Sequence, residues 1–188
     1  MPTRNDHPAM LLDLVGVIGP DHMIIVHTTT PDISPDIDGC INLRHEGELN
    51  IQTWWKTGIR AAGTRYVALI NDDVGLKFNI IPLMVGACRD SGRSLARVVG
   101  PNVPRKSGFL FVIDTDHGLM PDTGFRWWWG DDDLYHQAEQ RHGIVEIPAE
   151  GVEHADDSNY HLNPAFTDII TADKEYYRQK WYPNESWG

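Results

Sequence analysis

Three polar side chains follow one apolar run, and their types suit a metal ion. The run Tyr66–Ile70 is rich in β-branched and aromatic residues, and Asn71, Asp72 and Asp73 come directly after it. This pattern predicts a buried strand that carries the three side chains out of a sheet edge, where α/β sheets bind ligands. Neighbouring carboxylates repel each other unless a cation or a proton intervenes, and their oxygens suit Mg²⁺ and Mn²⁺. A polar turn uses the same residue types, so on this stretch alone both interpretations stay open.

A second cluster of polar side chains follows a group of aromatic rings. Tryptophans occupy positions 127–129, Gly130 follows, and aspartates occupy positions 131–133. Acidic residues in the first turn of a helix complement its dipole, which explains one or two of the aspartates. Three aspartates directly after three tryptophans exceed what capping needs. This cluster is therefore a second candidate for chemistry, with at least one of its tryptophans expected in the core.

Alternating helices and strands are predicted to position the two clusters. Asn50 is predicted to cap a helix and Gly63 to end it, immediately before the strand Tyr66–Ile70. The alternation predicts an α/β fold with a sheet of mixed or mostly parallel strands. Helices are predicted over 8–17, 50–62, 78–91 and 131–142, and strands over 23–27, 40–43, 66–70, 98–99, 109–114, 144–148 and 151–154.

The length of 188 residues fits one α/β domain with a sizeable core. Residues 171–188 are predicted to form a short amphipathic helix and an aromatic extension that packs on the core or on a second subunit, so the oligomeric state is open. His136 is predicted to lie at the surface. The net charge of −11 argues against a broad phosphate-binding face and hence against a dedicated nucleic-acid binder. A nucleotide held by backbone amides and a metal stays compatible with that charge.

Two further features concern the compartment. Cys40 and Cys88 have no metal-type spacing and are too few for a disulfide scaffold, so we interpret them as reduced and the protein as cytoplasmic. No apolar run approaches the length of a membrane span, and no signal peptide is expected.

The order of several segments resembles that of family 2-like glycosyltransferases of the GT-A fold. Asn-Asp-Asp-Val at 71–74 is similar to the Asn-Asn-Asp-Val variant of the Asp-x-Asp motif, and Trp-Gly-Asp-Asp-Asp-Leu at 129–134 is similar to the acceptor-side Glu-Asp-x-Asp-Leu motif. His154 falls where the family often has a late metal-binding histidine. Further similar segments are Pro-Thr-Arg-Asn at 2–5, Ile-Ile-Val at 24–26 with its polar loop to Asp32, and Gly-Ile-Arg-Ala-Ala-Gly at 58–63.

The resemblance implies a single GT-A-like domain over 1–188. Its mixed, Rossmann-like sheet is flanked by helices, with a nucleotide-sugar and metal half at 1–100, an acceptor half at 101–160 and a C-terminal tail at 161–188. It also implies a nucleotide-sugar donor, a UDP- or GDP-sugar, and a Mn²⁺ or Mg²⁺ ion that neutralises the departing diphosphate. The implied metal ligands are Asp73 and His154. The implied donor-binding residues are Thr3, Arg4, His27, Thr28, Asn50 and Asp72.

The acceptor half is implied to supply the base. An acceptor hydroxyl is a poor nucleophile, so a carboxylate must take its proton, and the resemblance assigns this role to Asp131. Trp128, Trp129 and Asp132 are implied to bind the acceptor, since tryptophan faces suit a sugar ring. Direct attack by the activated hydroxyl implies an inverting, hexosyltransferase-like enzyme. The acceptor itself is open between a glycan, a lipid-linked sugar, a protein and a modified nucleobase.

The chain departs from the family pattern at four places, one of which is Lys56 in place of a frequent Asn in the helix 50–62. Almost all of the first, central strand is lacking, His27 stands where an aspartate often reads the base, and Gly130 replaces the first Glu of the acceptor motif. Two other functions therefore stay open. A nucleotidyltransferase uses a similar sheet, although its usual Gly-rich, basic loop is not evident near the start. A sugar- or nucleotide-binding domain without turnover is the third hypothesis.

Overall fold

The computed structural model describes residues 1–3, 8–28, 37–45, 50–100, 108–155 and 164–185, without the side chains of residues 2, 3, 27, 28, 164 and 165. All statements below refer to these residues. Their elements, in chain order, are β1 Pro2–Thr3, α1 Pro8–Ile18, β2 Ile25–Thr28, β3 Ile41–Arg44, α2 Ile51–Ala62, β4 Tyr66–Ile70, β5 Val74–Leu76, α3 Ile81–Ser91, β6 Leu95–Val99, β7 Leu110–Asp114, a 3₁₀ turn Thr115–His117, α4 Gly130–Arg141, β8 Ile144–Pro148, β9 Val152–His154 and α5 Pro164–Trp181.

The strands form one mixed sheet and two smaller ones. The mixed sheet has the order β4-β7-β6-β8, in which β7 is antiparallel to β4 and β6, and β6 is parallel to β8. Strands β1, β2 and β3 form a parallel sheet, and β5 pairs with β9 in an antiparallel ladder. The predicted α/β architecture with a mixed sheet and flanking helices is confirmed.

Strand β7 lies at the centre of two hydrophobic clusters. Its side chains alternate between them, because successive residues of a strand point to opposite faces. Leu110 and Val112 join the cluster that α1, α3 and β5 cover, whereas Phe111 and Ile113 join the cluster that α2 and α4 cover. All four are fully buried. The helices therefore cover both faces of the mixed sheet.

The first strand is short, as the sequence predicts. Strand β1 pairs with β2 through two residues, and the Met1 amino group donates to the Ile25 carbonyl at 2.7 Å. Next to it lies a cavity of about 550 Å³, lined by all of β4 together with Ile24, Trp55 and Val85. Within the described parts of the chain, β4 pairs only with β7. One edge of β4 therefore faces this cavity.

Several boundaries differ from those predicted. Strand β6 begins at Leu95 rather than at position 98, and the short strand β5 follows the Asn-Asp-Asp turn, where no strand was predicted. The last helix begins at Pro164 and runs for 18 residues, whereas a short helix was predicted from position 171. Residues 166–171 include several β-branched side chains, which lower helix propensity, and packing against the domain overrides that preference. Pro82 stands in the first turn of α3, where its missing N–H has no partner within the helix.

Candidate active site

Asp73 and His154 lie side by side at the end of the β5–β9 ladder. In this ladder Val74 stands opposite His154, and the Ala155 N–H donates to the Asp73 carbonyl at 2.9 Å. The register brings Asp73 Oδ2 within 3.2 Å of His154 Nε2. The imidazole also stacks on Phe109, with ring centroids 4.5 Å apart. Backbone pairing thus brings together two residues that the sequence predicted as metal ligands.

The same pair has the chemistry of an incomplete metal site. Asp73 Oδ1 is buried and has no hydrogen-bond partner among the described residues, which is costly for a carboxylate oxygen. A carboxylate oxygen and an imidazole nitrogen are both ligands that Mn²⁺ accepts. The described part of the chain contains no group of three or more His, Cys, Asp or Glu side chains that could hold a metal. Sites for Mg²⁺ commonly include water and phosphate oxygens beside one or two protein side chains.

Asp131 lies in the first turn of α4 in an environment that favours the protonated carboxyl group. Burial, followed by the charge of Asp132, raises the pKa of Asp131 to about 7, although the backbone amides of Gly108, Asp131 and Asp132 act in the opposite direction. Gly108 packs directly against this side chain, since a Cβ atom on Gly108 would lie 2.4 Å from the Asp131 Cβ. A carboxylate whose pKa lies near neutrality is well matched to accept a proton.

Two consecutive residues connect the two clusters. Gly108 contacts the Asp131 side chain, and Phe109 stacks on the His154 ring. The base candidate Asp131 and the metal-ligand candidate His154 therefore contact adjacent residues of one segment, although they lie far apart along the chain. Gly108 and Phe109 lie directly before β7, which begins at Leu110, so the start of this strand places both contacts.

Residues 126–129, which we term the Trp loop, precede α4 in an unusual conformation. Trp129 has φ of 63°, and it is the one non-glycine residue with positive φ in the part of the chain that the structure describes. Such a conformation is strained for a bulky side chain and persists only where the surroundings hold it. Trp127, Trp128 and Trp129 are all partly exposed, and none belongs to either hydrophobic cluster. The expectation that at least one of them lies in the core is wrong: all three are partly exposed, and the rings of Trp127 and Trp129 contact Phe166 and Tyr177 of α5.

Helix α5 holds the Trp loop through a carboxylate that the sequence analysis missed. Asp173 is 2% exposed. It accepts hydrogen bonds from the backbone N–H groups of Arg126 at 3.0 Å, Trp127 at 2.8 Å and Trp128 at 2.8 Å. Rings of α5 support the loop as well, with Phe166 edge-on to Trp127 at 4.0 Å between ring centroids. No local motif signals these contacts, because they join segments more than 40 positions apart.

Asp133 binds α5 and has a different role from Asp131. Its fully buried carboxylate accepts from Trp181 Nε1 at 2.8 Å, and Lys180 Nζ lies 2.7 Å from it. Consecutive aspartates therefore differ in role: Asp131 has a carboxyl group with a raised pKa, whereas Asp133 anchors the last helix. The predicted surface position of His136 is wrong: its ring stacks on Trp181, and its Nδ1 lies 2.8 Å from the Tyr177 hydroxyl.

Gly130 leaves space that Gln52 fills. The Gln52 side chain is fully buried, and its amide has no hydrogen-bond partner within the described ranges. A Cβ atom on Gly130 would lie 2.1 Å from Gln52 Nε2. The glycine at this position, where the similar motif carries Glu, is thus explained by a side chain from α2 that occupies the same volume.

The remaining predicted site residues are placed as follows. Asn50 caps α2 by accepting from the Thr53 N–H at 2.8 Å, and it also donates to the Thr123 carbonyl at 3.2 Å. Asp72 is half-buried in the turn between β4 and β5, beside Asp73, and Asp132 lies in the first turn of α4 beside Asp131. Arg4 and the side chains of Thr3, His27 and Thr28 lie outside the described residues.

Comparison with solved structures identifies chains of similar fold. Structures of TarS from S. aureus, a GT-A-type glycosyltransferase, are similar to this chain. For TarS 1–349 the TM-score is 0.61 at 10% identity, over 97% of this chain and 72% of that one. For a longer TarS chain the TM-score is 0.61 at 12% identity, over 96% of this chain and 43% of that one. For TarS 1–349 in complex with UDP the TM-score is 0.58 at 11% identity, over 97% of this chain and 72% of that one.

These comparisons show a GT-A-like fold. No known protein-family profile and no curated protein sequence matches the chain. Among the described helices, none has the length and apolar character needed to cross a membrane.

Proposed function

We propose that this protein is a metal-dependent, inverting glycosyltransferase that moves a sugar from a UDP- or GDP-sugar to an acceptor hydroxyl. The observation that carries the proposal is the meeting of two clusters at Gly108 and Phe109. On one side lies Asp131, with its pKa raised to about 7, and on the other the Asp73–His154 pair. The GT-A-like fold and the UDP complex of a similar structure support a nucleotide-sugar donor.

In this proposal Asp131 performs the proton transfer. Its deprotonated carboxylate accepts the proton of the acceptor hydroxyl while the hydroxyl oxygen attacks the anomeric carbon. The bond from that carbon to the diphosphate oxygen breaks, and its electron pair leaves with the nucleoside diphosphate. Attack opposite the leaving group inverts the anomeric centre. Burial of Asp131 makes its carboxylate a stronger base than an exposed aspartate.

The donor half of the proposed enzyme spans residues 1–100 and the acceptor half residues 101–160, and His154 crosses this division to join Asp73. Asp73 and His154 would hold Mn²⁺ or Mg²⁺, which supplies charge neutralisation for the leaving diphosphate. The buried, unpaired Oδ1 of Asp73 supports this role. Asp72 would assist in donor binding, and Trp128, Trp129 and Asp132 would bind the acceptor. A cytoplasmic location belongs to the same proposal, since Cys40 and Cys88 are free thiols.

The test begins with ligand binding. Melting temperatures are measured with UDP, GDP and their sugar conjugates, each with Mn²⁺ and with EDTA, because a ligand of the folded state raises the melting temperature. We expect a rise with one nucleoside diphosphate that needs the metal and that Asp73→Ala abolishes. The absence of any rise in the wild type would overturn the proposed donor site.

The second measurement is turnover, followed as release of nucleoside diphosphate from the bound nucleotide sugar with water or a panel of glycosides as acceptor. We expect Asp131→Asn to keep the rise in melting temperature and to lose about 10²–10⁴-fold in rate. The matched control is Asp13→Asn, an exposed residue of α1. Metal-dependent binding without any turnover in the wild type would favour a binding domain, and full activity of Asp131→Asn would exclude it as the base.

A further inference from the structure

Asp173 is a buried carboxylate whose hydrogen bonds to described residues all come from one loop. It lies in the interior of α5, is 2% exposed, and accepts from the consecutive amides of Arg126, Trp127 and Trp128. Burying a charged carboxylate is costly unless hydrogen bonds compensate, and bonds to a charged acceptor are the stronger kind. Because three donors already occupy it, Asp173 acts on the rest of the site through the loop that it holds.

The loop that it holds is strained and is joined to the base candidate. Trp129 follows directly with φ of 63°, and its carbonyl accepts from the Asp133 N–H at 2.9 Å in the first turn of α4. Asp131 lies in that same turn. A change in the backbone of residues 126–128 therefore moves the tryptophan rings and the Asp131 carboxylate together.

The tryptophan rings form a surface of defined chemistry. Trp127, Trp128 and Trp129 are each partly exposed. The Trp127 ring contacts Phe166 edge-on, and the centroid of the Trp129 ring lies 5.0 Å from that of Tyr177. Rigid aromatic faces beside carboxylates suit a ligand with apolar C–H faces and many hydroxyl groups, which describes a saccharide. A flexible loop would lose this surface, because ordering it on binding costs free energy.

We propose that Asp173 is the positioning residue of a saccharide-binding surface formed by the Trp loop. Its carboxylate fixes the amides of residues 126–128, so that the tryptophan rings present a sugar to Asp131. The identification of this saccharide as the acceptor rests on the proposed function. The proposal deepens it by assigning the acceptor to the carbohydrates and by giving α5 a part in the site.

The experiment compares Asp173→Asn with Asp168→Asn, a matched substitution at an exposed position of the same helix. The first readout is hydrogen exchange at the amides of residues 126–128. The second is binding of cellobiose, lactose, maltose and N,N′-diacetylchitobiose, followed by tryptophan fluorescence. The third is the rise in melting temperature with nucleoside diphosphate and Mn²⁺, which reports on the donor site alone.

We expect Asp173→Asn to speed exchange at the three amides by about tenfold or more and to weaken saccharide binding by a similar factor. The response to nucleoside diphosphate and Mn²⁺ should stay that of the wild type, and Asp168→Asn should match the wild type in all three readouts. Weaker saccharide binding with an unchanged response to nucleoside diphosphate is the result that a merely structural role would not produce.

Three results would overturn the proposal. They are unchanged saccharide binding by Asp173→Asn, equal loss of saccharide and donor binding, and a wild type that binds none of the saccharides. The last result leaves the proposed donor site standing if the nucleotide response persists. Saccharide binding without any nucleotide response would instead support Asp173 and overturn the proposed function. If Asp173→Asn does not fold, Asp173→Glu keeps the charge and is expected to weaken saccharide binding alone; unchanged binding contradicts the proposal.

Discussion

The proposed donor and acceptor halves of the candidate site are held by different means. On the donor side, the β5–β9 backbone ladder sets Asp73 beside His154. On the acceptor side, side chains do this work, since Asp173 holds the Trp loop and Asp133 anchors α5 through Trp181 and Lys180. A ladder survives the loss of a side chain, whereas a buried carboxylate leaves its partners unpaired when it is removed. The two halves should therefore differ in how mutations affect stability.

The largest effect is expected for Asp133→Ala on the acceptor side. The substitution removes the acceptor of the Trp181 and Gln137 side-chain N–H groups, whereas Lys180 keeps Asp122 at 2.6 Å. We expect the free energy of unfolding to fall by about 3 kcal/mol, because two hydrogen-bond donors around a buried position lose their acceptor and a cavity is left. Urea unfolding at pH 7 measures it, with Asp168→Ala on the exposed face of α5 as control. A loss as small as that of the control would contradict the comparison.

The next effect concerns the contact between Gly130 and Gln52. Gly130→Ala introduces a Cβ atom 2.1 Å from Gln52 Nε2 in a fully buried position. We expect it to lower the free energy of unfolding by about 2 kcal/mol through overpacking. In a double-mutant cycle, Gln52→Ala should relieve the cost of Gly130→Ala by about 1 kcal/mol or more. Strict additivity of the two substitutions would show that the clash is absorbed elsewhere.

Asp131→Asn should give a pH-dependent gain in stability. The raised pKa means that folded Asp131 keeps a proton that the unfolded chain releases between about pH 4 and about pH 7, so wild-type stability falls across this window. Asp131→Asn has no carboxyl group at this position, so its stability does not fall for this reason across the same pH range. The full shift corresponds to about 4 kcal/mol. Because Asp131 is only half-buried, solvent screens part of this cost, and we expect the advantage to grow from about zero near pH 4 to roughly half of that value at pH 8. Urea unfolding of the wild type and the variant across the pH series measures it, and an advantage that does not change with pH would contradict the prediction.

The smallest effect is expected for Asp73→Ala on the donor side. The β5–β9 ladder keeps its backbone hydrogen bonds without this side chain, and an unpaired buried oxygen is removed. We expect the free energy of unfolding to change by less than about 0.5 kcal/mol, although the metal-dependent response to nucleotide is lost. Urea unfolding without metal measures this change. A loss as large as that of Asp133→Ala would erase the distinction between the two halves.

The same contrast explains what the sequence could predict. Asp73 and Asp131 stand out because each belongs to a polar cluster beside a predicted strand or helix, and local patterns locate such ends, whereas His154 was implied by the family resemblance alone. The pairing of Asp73 with His154 follows from the strands that carry them. Asp173 and Gln52 were missed, because each acts on a segment more than 40 positions away through a contact that leaves no local signal. Strand β5 was missed because its three residues, with Gly75 in the middle, are too few to show a period.

The unpaired edge of β4 has a consequence for local opening. This strand leads to Asp73, yet among the described strands only β7 donates to it or accepts from it, and the cavity beside its other edge separates it from β2. Half of its backbone groups thus lack the protection that a neighbouring strand provides, and an exposed edge is also a template for pairing with another chain. The strand that leads to Asp73 is thereby also the edge at which the mixed sheet and the parallel sheet β1-β2-β3 can separate, and its amides should exchange with solvent sooner than those of β7.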